Sequence, residues 1–258
     1  MDCMIGGVRC HYAQQGQGRD VLLLHGWGGN IESWLPVTEE HLAKKCRVTV
    51  LDFPGHGGSG SPPDRGWSVD DYRDFTAEFL EKAGIAPCDI VAHSFGGRVA
   101  LLLAATRPEL VSRMLLTGCA GLLPRRSAAS KAKSSVFHAL KNVSDHIPGG
   151  KALREKVAGH LGSTDYRALA PGMRATFVKV VNQDLAPVLP RISAETLLVF
   201  GRNDQETPLW MGEALRDGIR GSALVVLENA GHFAYLEQCA AFLRIMDAFF
   251  FPEGKEAR

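Results

Sequence analysis

The stretch Cys88-Asp89-Ile90-Val91-Ala92-His93-Ser94-Phe95-Gly96-Gly97-Arg98 decides how this chain is read. Its first half is a short apolar run of the kind that fills a central parallel strand. Its second half opens a segment in which Val99, Leu102, Leu103 and Thr106 recur at helical spacing. That helix is expected to stop before Pro108, because the residue ahead of a proline disfavours the helical region. Ser94 stands between strand and helix, on a corner that lifts its hydroxyl clear of the backbone. A corner this tight needs small residues two before and two after the serine, and Ala92 and Gly96 supply them. The same letters also fit an ordinary strand–helix turn with a serine cap. The rest of the chain decides between the two.

Outward from the corner, apolar strands alternate with helical segments. Val8 to Ala13 reads as an edge strand. Val21 to Leu24 and Arg47 to Leu51 read as buried strands, with a helix over Glu32 to Lys45 between them. Ser68 and Asp71 form a capping-box pattern that opens a helix running to about Ala83. Further strands are expected at Met114 to Thr117, Thr196 to Phe200 and Ala223 to Leu227. Helices are expected from Pro208 to about Arg216 and from Leu236 to Phe250. This rhythm implies a mostly parallel sheet covered on both faces, an α/β fold. Ligands in such folds bind at the carboxyl ends of the strands, where Ser94 lies.

One region breaks the alternation. Between Ala120 and about Arg191 no strand is evident, while Arg125 to Leu140, Lys151 to Leu161 and Tyr166 to Val181 have helical spacing. A stretch this long between two strands of one sheet is an insertion. The expected organisation is a core of residues 1–119 and 192–258 with a helical cap at 120–191.

A serine hydroxyl is a weak nucleophile at neutral pH. It needs a base to take its proton and a third group to orient that base. Asp204, in Gly201-Arg202-Asn203-Asp204, follows one late strand; His232, in Asn229-Ala230-Gly231-His232, follows the next. Asp204 is by type a common turn former, and His232 is one of nine histidines. Their order and their loops nevertheless match a Ser-acid-His arrangement. Glu206 lies further along and is less well placed. A tetrahedral intermediate needs hydrogen-bond donors for its oxyanion. The Phe95 N–H is one candidate. The Trp27 N–H, in the glycine-rich turn His25-Gly26-Trp27-Gly28-Gly29 after an early strand, is the other. His25, Gly26, Gly28 and His93 flank these groups and are expected to contact substrate. The turn lacks the spacing of a dinucleotide fingerprint and a Walker lysine.

These motifs, together with Asp52-Phe53-Pro54-Gly55-His56-Gly57, resemble the α/β-hydrolase superfamily over nearly the whole chain. Within it the chain is similar to small capped carboxylesterases, including the esterase that demethylates pimeloyl-carrier-protein methyl ester. The His-Gly-Trp-Gly loop carries that likeness. Pro54 to Ser59 and Ser94 to Arg98 resemble a menaquinone-pathway lyase instead. Ala92 replaces the usual glycine, and Ala194-Glu195 stands where many relatives have proline before the strand. The resemblance implies a serine esterase, or else a lyase or carbon–carbon hydrolase using the same triad; a ligand receptor of this fold is a further alternative.

The 258 residues are 45% hydrophobic and carry a net charge of +1, which gives no reason to expect nucleic-acid binding. No apolar run is long enough to span a membrane, and the first residues lack the pattern of a secretory signal. Six scattered cysteines without a C-x-x-C pair fit reduced thiols and a cytoplasmic setting, with no metal or cofactor expected. Arg125 to Lys156 holds eight basic residues against Asp145 and Glu155, an excess of six. Such a cap can recruit an anionic substrate or an acidic carrier protein.

Overall fold

A computed structural model describes residues 1–39, 41–63, 65–123 and 171–252. Its centre is one eight-stranded sheet. The strands are β1 (Asp2–Ile5), β2 (Val8–Gln15), β3 (Asp20–Leu24), β4 (Arg47–Leu51), β5 (Cys88–His93), β6 (Val111–Thr117), β7 (Glu195–Gly201) and β8 (Ala223–Leu227). They lie in the order β1-β2-β4-β3-β5-β6-β7-β8. β2 is antiparallel to both β1 and β4, and the pairs from β4 to β8 are parallel. The edge strand on this side is therefore β1; Val8 to Ala13, expected at the edge, sits one place in. β1 is short and ends in a Gly6-Gly7 turn with positive φ at both glycines, a weak signal in sequence.

Alternation along each parallel strand divides the core into two layers. Leu22 and Leu24, Ile90 and Ala92, Met114 and Leu116, and Leu198 and Phe200 face one layer. Helices α2 (Val69–Ala83), α3 (Phe95–Thr106) and α5 (Leu209–Gly218) contribute to that layer. Val21, Leu23, Val91, Leu115 and Val199 face the other, with Trp34 and Val37 near α1 (Leu35–Thr38) and Phe242, Met246 and Phe250 of α7 (Cys239–Phe250). Both faces are buried, which is why the strands read as continuous apolar runs rather than alternating ones.

The boundaries of α2 and α3 follow local chemistry. The Ser68–Asp71 capping box opens α2, and Gly84 closes it in the left-handed conformation. α3 ends at Thr106, two residues short of Pro108. Two expected helices are broken. Glu32 to Lys45 resolves into a short 3-10 turn, α1 and a second 3-10 turn. Trp34, Val37 and Leu42 are all buried there, so packing against the sheet overrides a weak local period. The closing helix begins as α6 (Ala234–Glu237), pauses at Gln238 (φ −129°, ψ 50°) and resumes as α7. The pause leaves the Glu237 carboxylate accepting the N–H groups of Gly231 (2.7 Å) and Phe233 (3.2 Å), which holds the loop between them.

Of the segment expected as a cap, α4 (Pro171–Asn182) and the 3-10 turn Ala186–Arg191 are described. The helices expected at Arg125 to Leu140 and Lys151 to Leu161, and the basic cluster they carry, lie outside the described residues. Among the described residues, no helix is long and apolar enough to cross a membrane.

Candidate active site

Three parallel strands bring three loops to one rim. β5 leads to Ser94, β7 to Asp204 and β8 to His232. β7 and β8 are direct neighbours, and their outgoing loops are tied together. The Arg202 N–H donates to the Leu227 carbonyl (3.0 Å) and the Asn203 N–H to the Ala230 carbonyl (2.8 Å). Gly201 makes this possible, because a Cβ there would sit 2.2 Å from the Gly231 carbonyl oxygen.

Ser94 adopts φ 50° and ψ −108°, a conformation non-glycine residues rarely hold. Such strain persists where surrounding structure fixes it and concentrates at functional sites. Here the Ser94 N–H donates to the Thr117 carbonyl (3.1 Å) and its carbonyl accepts from Gly97 (3.0 Å) and Ala120 (3.2 Å). Gly96 lets α3 approach the end of β3. An added Cβ would lie 2.4 Å from the Leu24 carbonyl oxygen and 2.8 Å from that of His25. Both obstacles are backbone, so Gly96→Ala is expected to destabilise the fold by about 1–3 kcal/mol and to shift the corner. Urea unfolding of the variant beside the parent measures this; equal midpoints would mean that α3 can slide without cost.

Ser94, His232 and Asp204 form one hydrogen-bonded chain. Ser94 Oγ is 3.0 Å from His232 Nε2, and His232 Nδ1 is 2.8 Å from Asp204 Oδ2. Asp204 is buried and its four acceptor sites are used. Oδ1 accepts the N–H groups of Glu206 and Thr207, both at 2.8 Å. Oδ2 accepts the Thr207 hydroxyl at 2.7 Å beside the imidazole. One oxygen thus closes the turn while the other orients His232, so turn former and base partner are the same residue. Burial acts to raise the Asp204 carboxyl, but the His232 and Thr207 hydrogen bonds outweigh it and hold it below the usual carboxylate value. Thr207 was missed by sequence reasoning; its position three residues after an aspartate is the only local hint.

Phe95 opens α3, so its N–H has no intrahelical carbonyl to meet. Trp27 lies in a turn closed by the Gly29 N–H on the Gly26 carbonyl (3.0 Å), with Gly28 at φ 74°. Gly26, Trp27, Gly28, Ser94, Phe95 and His232 all line one cavity of about 540 Å³, a size suited to a small-molecule ligand. Phe177 and Val180 of α4 line it as well.

The expectation that His25 contacts substrate is corrected. Its side chain is fully buried and is not among the cavity's lining residues. Nδ1 donates to the Gly26 carbonyl (2.7 Å), and Nε2 accepts the Phe53 N–H (3.0 Å). Burial lowers its pKa to about 4, so it is a neutral peg between the glycine-rich turn and the loop after β4. Asp52 secures that second loop by accepting from Ile31 and Gly58, both at 2.7 Å. His93 lines the cavity but is almost wholly buried. Its Nε2 donates to the His232 carbonyl (3.0 Å), and Gly26 packs so closely that a Cβ would lie 2.7 Å from Nδ1. Burial, aided by repulsion from His232, lowers its pKa to about 3. His93 therefore wedges the base loop against the glycine-rich turn.

A parallel sheet with a serine corner after β5, and an aspartate and a histidine delivered from the ends of β7 and β8, is an α/β-hydrolase architecture. The chain belongs to the alpha/beta hydrolase family, which it matches over residues 21–245, and it is a hydrolase of that fold. It is similar to the 2-hydroxymuconate semialdehyde hydrolase of Pseudomonas sp. strain CF600, at 29% identity over 96% of this chain and 92% of that one. It is also similar to the pimeloyl-[acyl-carrier protein] methyl ester esterase of Neisseria meningitidis serogroup B strain MC58. That relative is 30% identical, with 87% of this chain and 90% of the relative covered. Among solved structures, a meta-cleavage product hydrolase from Pseudomonas fluorescens IP01 superposes with a TM-score of 0.73. It shares 25% identity, and 97% of each chain is covered.

Proposed function

We propose that the protein is a serine hydrolase that cleaves carboxylic esters of small or medium acyl groups through an acyl-enzyme. The observation that carries this reading is the 3.0 Å contact between Ser94 Oγ and His232 Nε2, backed by Asp204 at 2.8 Å. The His232 Nδ1–H points at a carboxylate, which leaves Nε2 free to accept the serine proton. Ser94 attacks the ester carbonyl as His232 takes that proton. The oxyanion so formed is held by the Trp27 and Phe95 N–H groups. The imidazolium then protonates the departing alkoxide. A water activated by His232 attacks the acyl-serine and releases the acid, restoring Ser94. Asp204 keeps the imidazole in one tautomer and stabilises its charged form without taking a proton itself.

A second reading keeps the triad and changes the bond. The likeness to a 2-hydroxymuconate semialdehyde hydrolase and a meta-cleavage product hydrolase favours hydrolysis of a carbon–carbon bond. The physiological partner in either case is a small molecule, and the excess of basic residues between Arg125 and Lys156 suits by charge an acidic carrier protein. A cytoplasmic setting remains part of this reading.

Hydrolysis of p-nitrophenyl acetate, butyrate and octanoate, with fluorophosphonate labelling of Ser94, tests the proposal. Turnover of at least one ester together with labelled Ser94 is the expected result. Labelling without ester turnover would move the assignment to carbon–carbon cleavage. Absence of both, in folded protein, would remove the activated serine altogether.

A further inference from the structure

We propose that Arg98 forms a carboxylate subsite in the cavity, so that the preferred substrates carry a carboxylate in the acyl group, a short spacer away from the scissile carbonyl. This rests on the ester-hydrolase reading above and specifies its substrate class.

Arg98 lies on α3 four residues beyond Ser94, about 6 Å along the helix axis. Residues four apart share a helix face, and side chains lean toward the helix N-terminus. Arg98 therefore leans back toward the serine end, and it lines the same cavity. Its side chain is only 7% exposed. Nη1 donates to the Gln183 carbonyl at 3.0 Å. Among the described residues no carboxylate pairs with it, and no other hydrogen bond engages the guanidinium. None of its nitrogens is among the polar atoms sealed in the interior without a partner, so the remaining donors open on the cavity.

A buried cation is costly, and arginine cannot escape the cost by losing its proton; the Asp184 carboxylate favours the charge from beyond ion-pair distance and offsets only part of the burial. The neighbouring Cys119 thiol offers no anion, because burial pushes its pKa up to about 12. An arginine in this state is a receptor for an anion that arrives with the substrate. A guanidinium presents parallel N–H groups matched to a carboxylate. Among the described residues Arg98 is the only Lys or Arg that lines the cavity.

The acyl half is assigned by direction. The leaving alkoxide must depart beside His232, which protonates it and which sits with Asp204, Thr207 and Phe233. Arg98 instead is bound to the end of α4, on the wall that includes Phe177 and Val180. An acyl chain running from Ser94 along that apolar wall brings a terminal carboxylate to the guanidinium. Glu206, the other Asp, Glu, Lys or Arg among the described lining residues, is exposed and stands on the His232 side, where it repels an anionic leaving group.

Mono-p-nitrophenyl glutarate and p-nitrophenyl pentanoate have five-carbon acyl groups and differ in the terminal charge. The ratio of kcat/KM for the acid ester to that for the neutral ester is expected to fall about 10- to 100-fold in Arg98→Gln, chiefly through KM, the scale of one charge-assisted pair. Arg98→Lys is expected to recover part of the ratio. A ratio within twofold of the parent would overturn the subsite. Calorimetry on the unaltered protein separates this from the esterase reading and does not depend on the variant folding. Glutarate is expected to bind at least tenfold more tightly than neutral glutaramide. Equal binding sinks the subsite even if esters are hydrolysed. Tight glutarate binding without turnover of either ester would keep the subsite and discard the esterase.

Discussion

Ser94→Ala is expected to abolish fluorophosphonate labelling and to lower kcat on p-nitrophenyl esters by about 10⁵–10⁶-fold, with His232→Ala nearly as severe. The size of the effect follows from the geometry. Ser94 Oγ and His232 Nε2 act on one proton at 3.0 Å, so removing either leaves the other without a reaction to perform. Ser94→Ala/His232→Ala is therefore expected to be no worse than Ser94→Ala alone. Asp204→Asn is milder, at about 10⁴-fold, because it leaves the geometry and presents the wrong tautomer. Here the amide also meets the Thr207 hydroxyl and two backbone N–H groups that now donate to the carboxylate. Steady-state rates on purified variants with unchanged thermal midpoints supply the measurement. Multiplicative losses in the double variant would show that the two groups work independently, which the proton relay forbids. A residual rate of about 10³ over water in every variant would report what the oxyanion donors and the cavity contribute without the triad.

The parts of this site that were legible in the sequence are those fixed by short-range rules. The Ser94 corner shows in five letters because its backbone tolerates only small neighbours, and Gly96 meets that demand against the Leu24 carbonyl. Asp204 and His232 could be placed because each follows a recognisable apolar strand, and parallel strands deliver their ends to one rim. What was hidden depends on tertiary contact. His25 looks like a substrate ligand in the string His25-Gly26-Trp27, yet its ring turns inward to meet Phe53, 28 residues away. Arg98 reads as one more helical residue until Gln183, 85 residues on, is found at its tip. The break at Gln238 has no proline or glycine to announce it. It arises because Glu237 is needed at the Gly231 and Phe233 N–H groups. Side chains that hold the catalytic ones in place are chosen by neighbours distant in sequence, and periodicity carries no record of those.

Acid is expected to unfold this protein steeply, with the loss beginning near pH 6.5. His25, His56 and His93 are buried, and burial lowers their pKa values to about 4, about 4 and about 3. In the unfolded chain each returns to about 6.5. Between those limits the unfolded state binds protons that the folded state refuses, so stability falls as pH falls and stops falling from this source once the folded pKa values are passed. Each histidine contributes a slope of about 1.4 kcal/mol per pH unit, or about 4 for the three together. Domains of this kind are stable by roughly 5–15 kcal/mol, and the three histidines remove about 10 of that by pH 4, so a fold in the lower half of the range reaches its acid midpoint between about pH 4 and 5.5. Asp52, whose charge favours protonation of His56, softens that histidine's share without reversing it. Urea midpoints measured from pH 8 to 5 give the slope directly. His56→Gln is expected to flatten it by about a third, since one refused proton is removed. A midpoint that stays level down to pH 5 would mean that these rings accept protons in place. The consequence for catalysis is specific. His25 braces the turn that carries Trp27, and His93 braces the loop that carries His232. Unfolding in this pH range is therefore expected to release both catalytic loops at once.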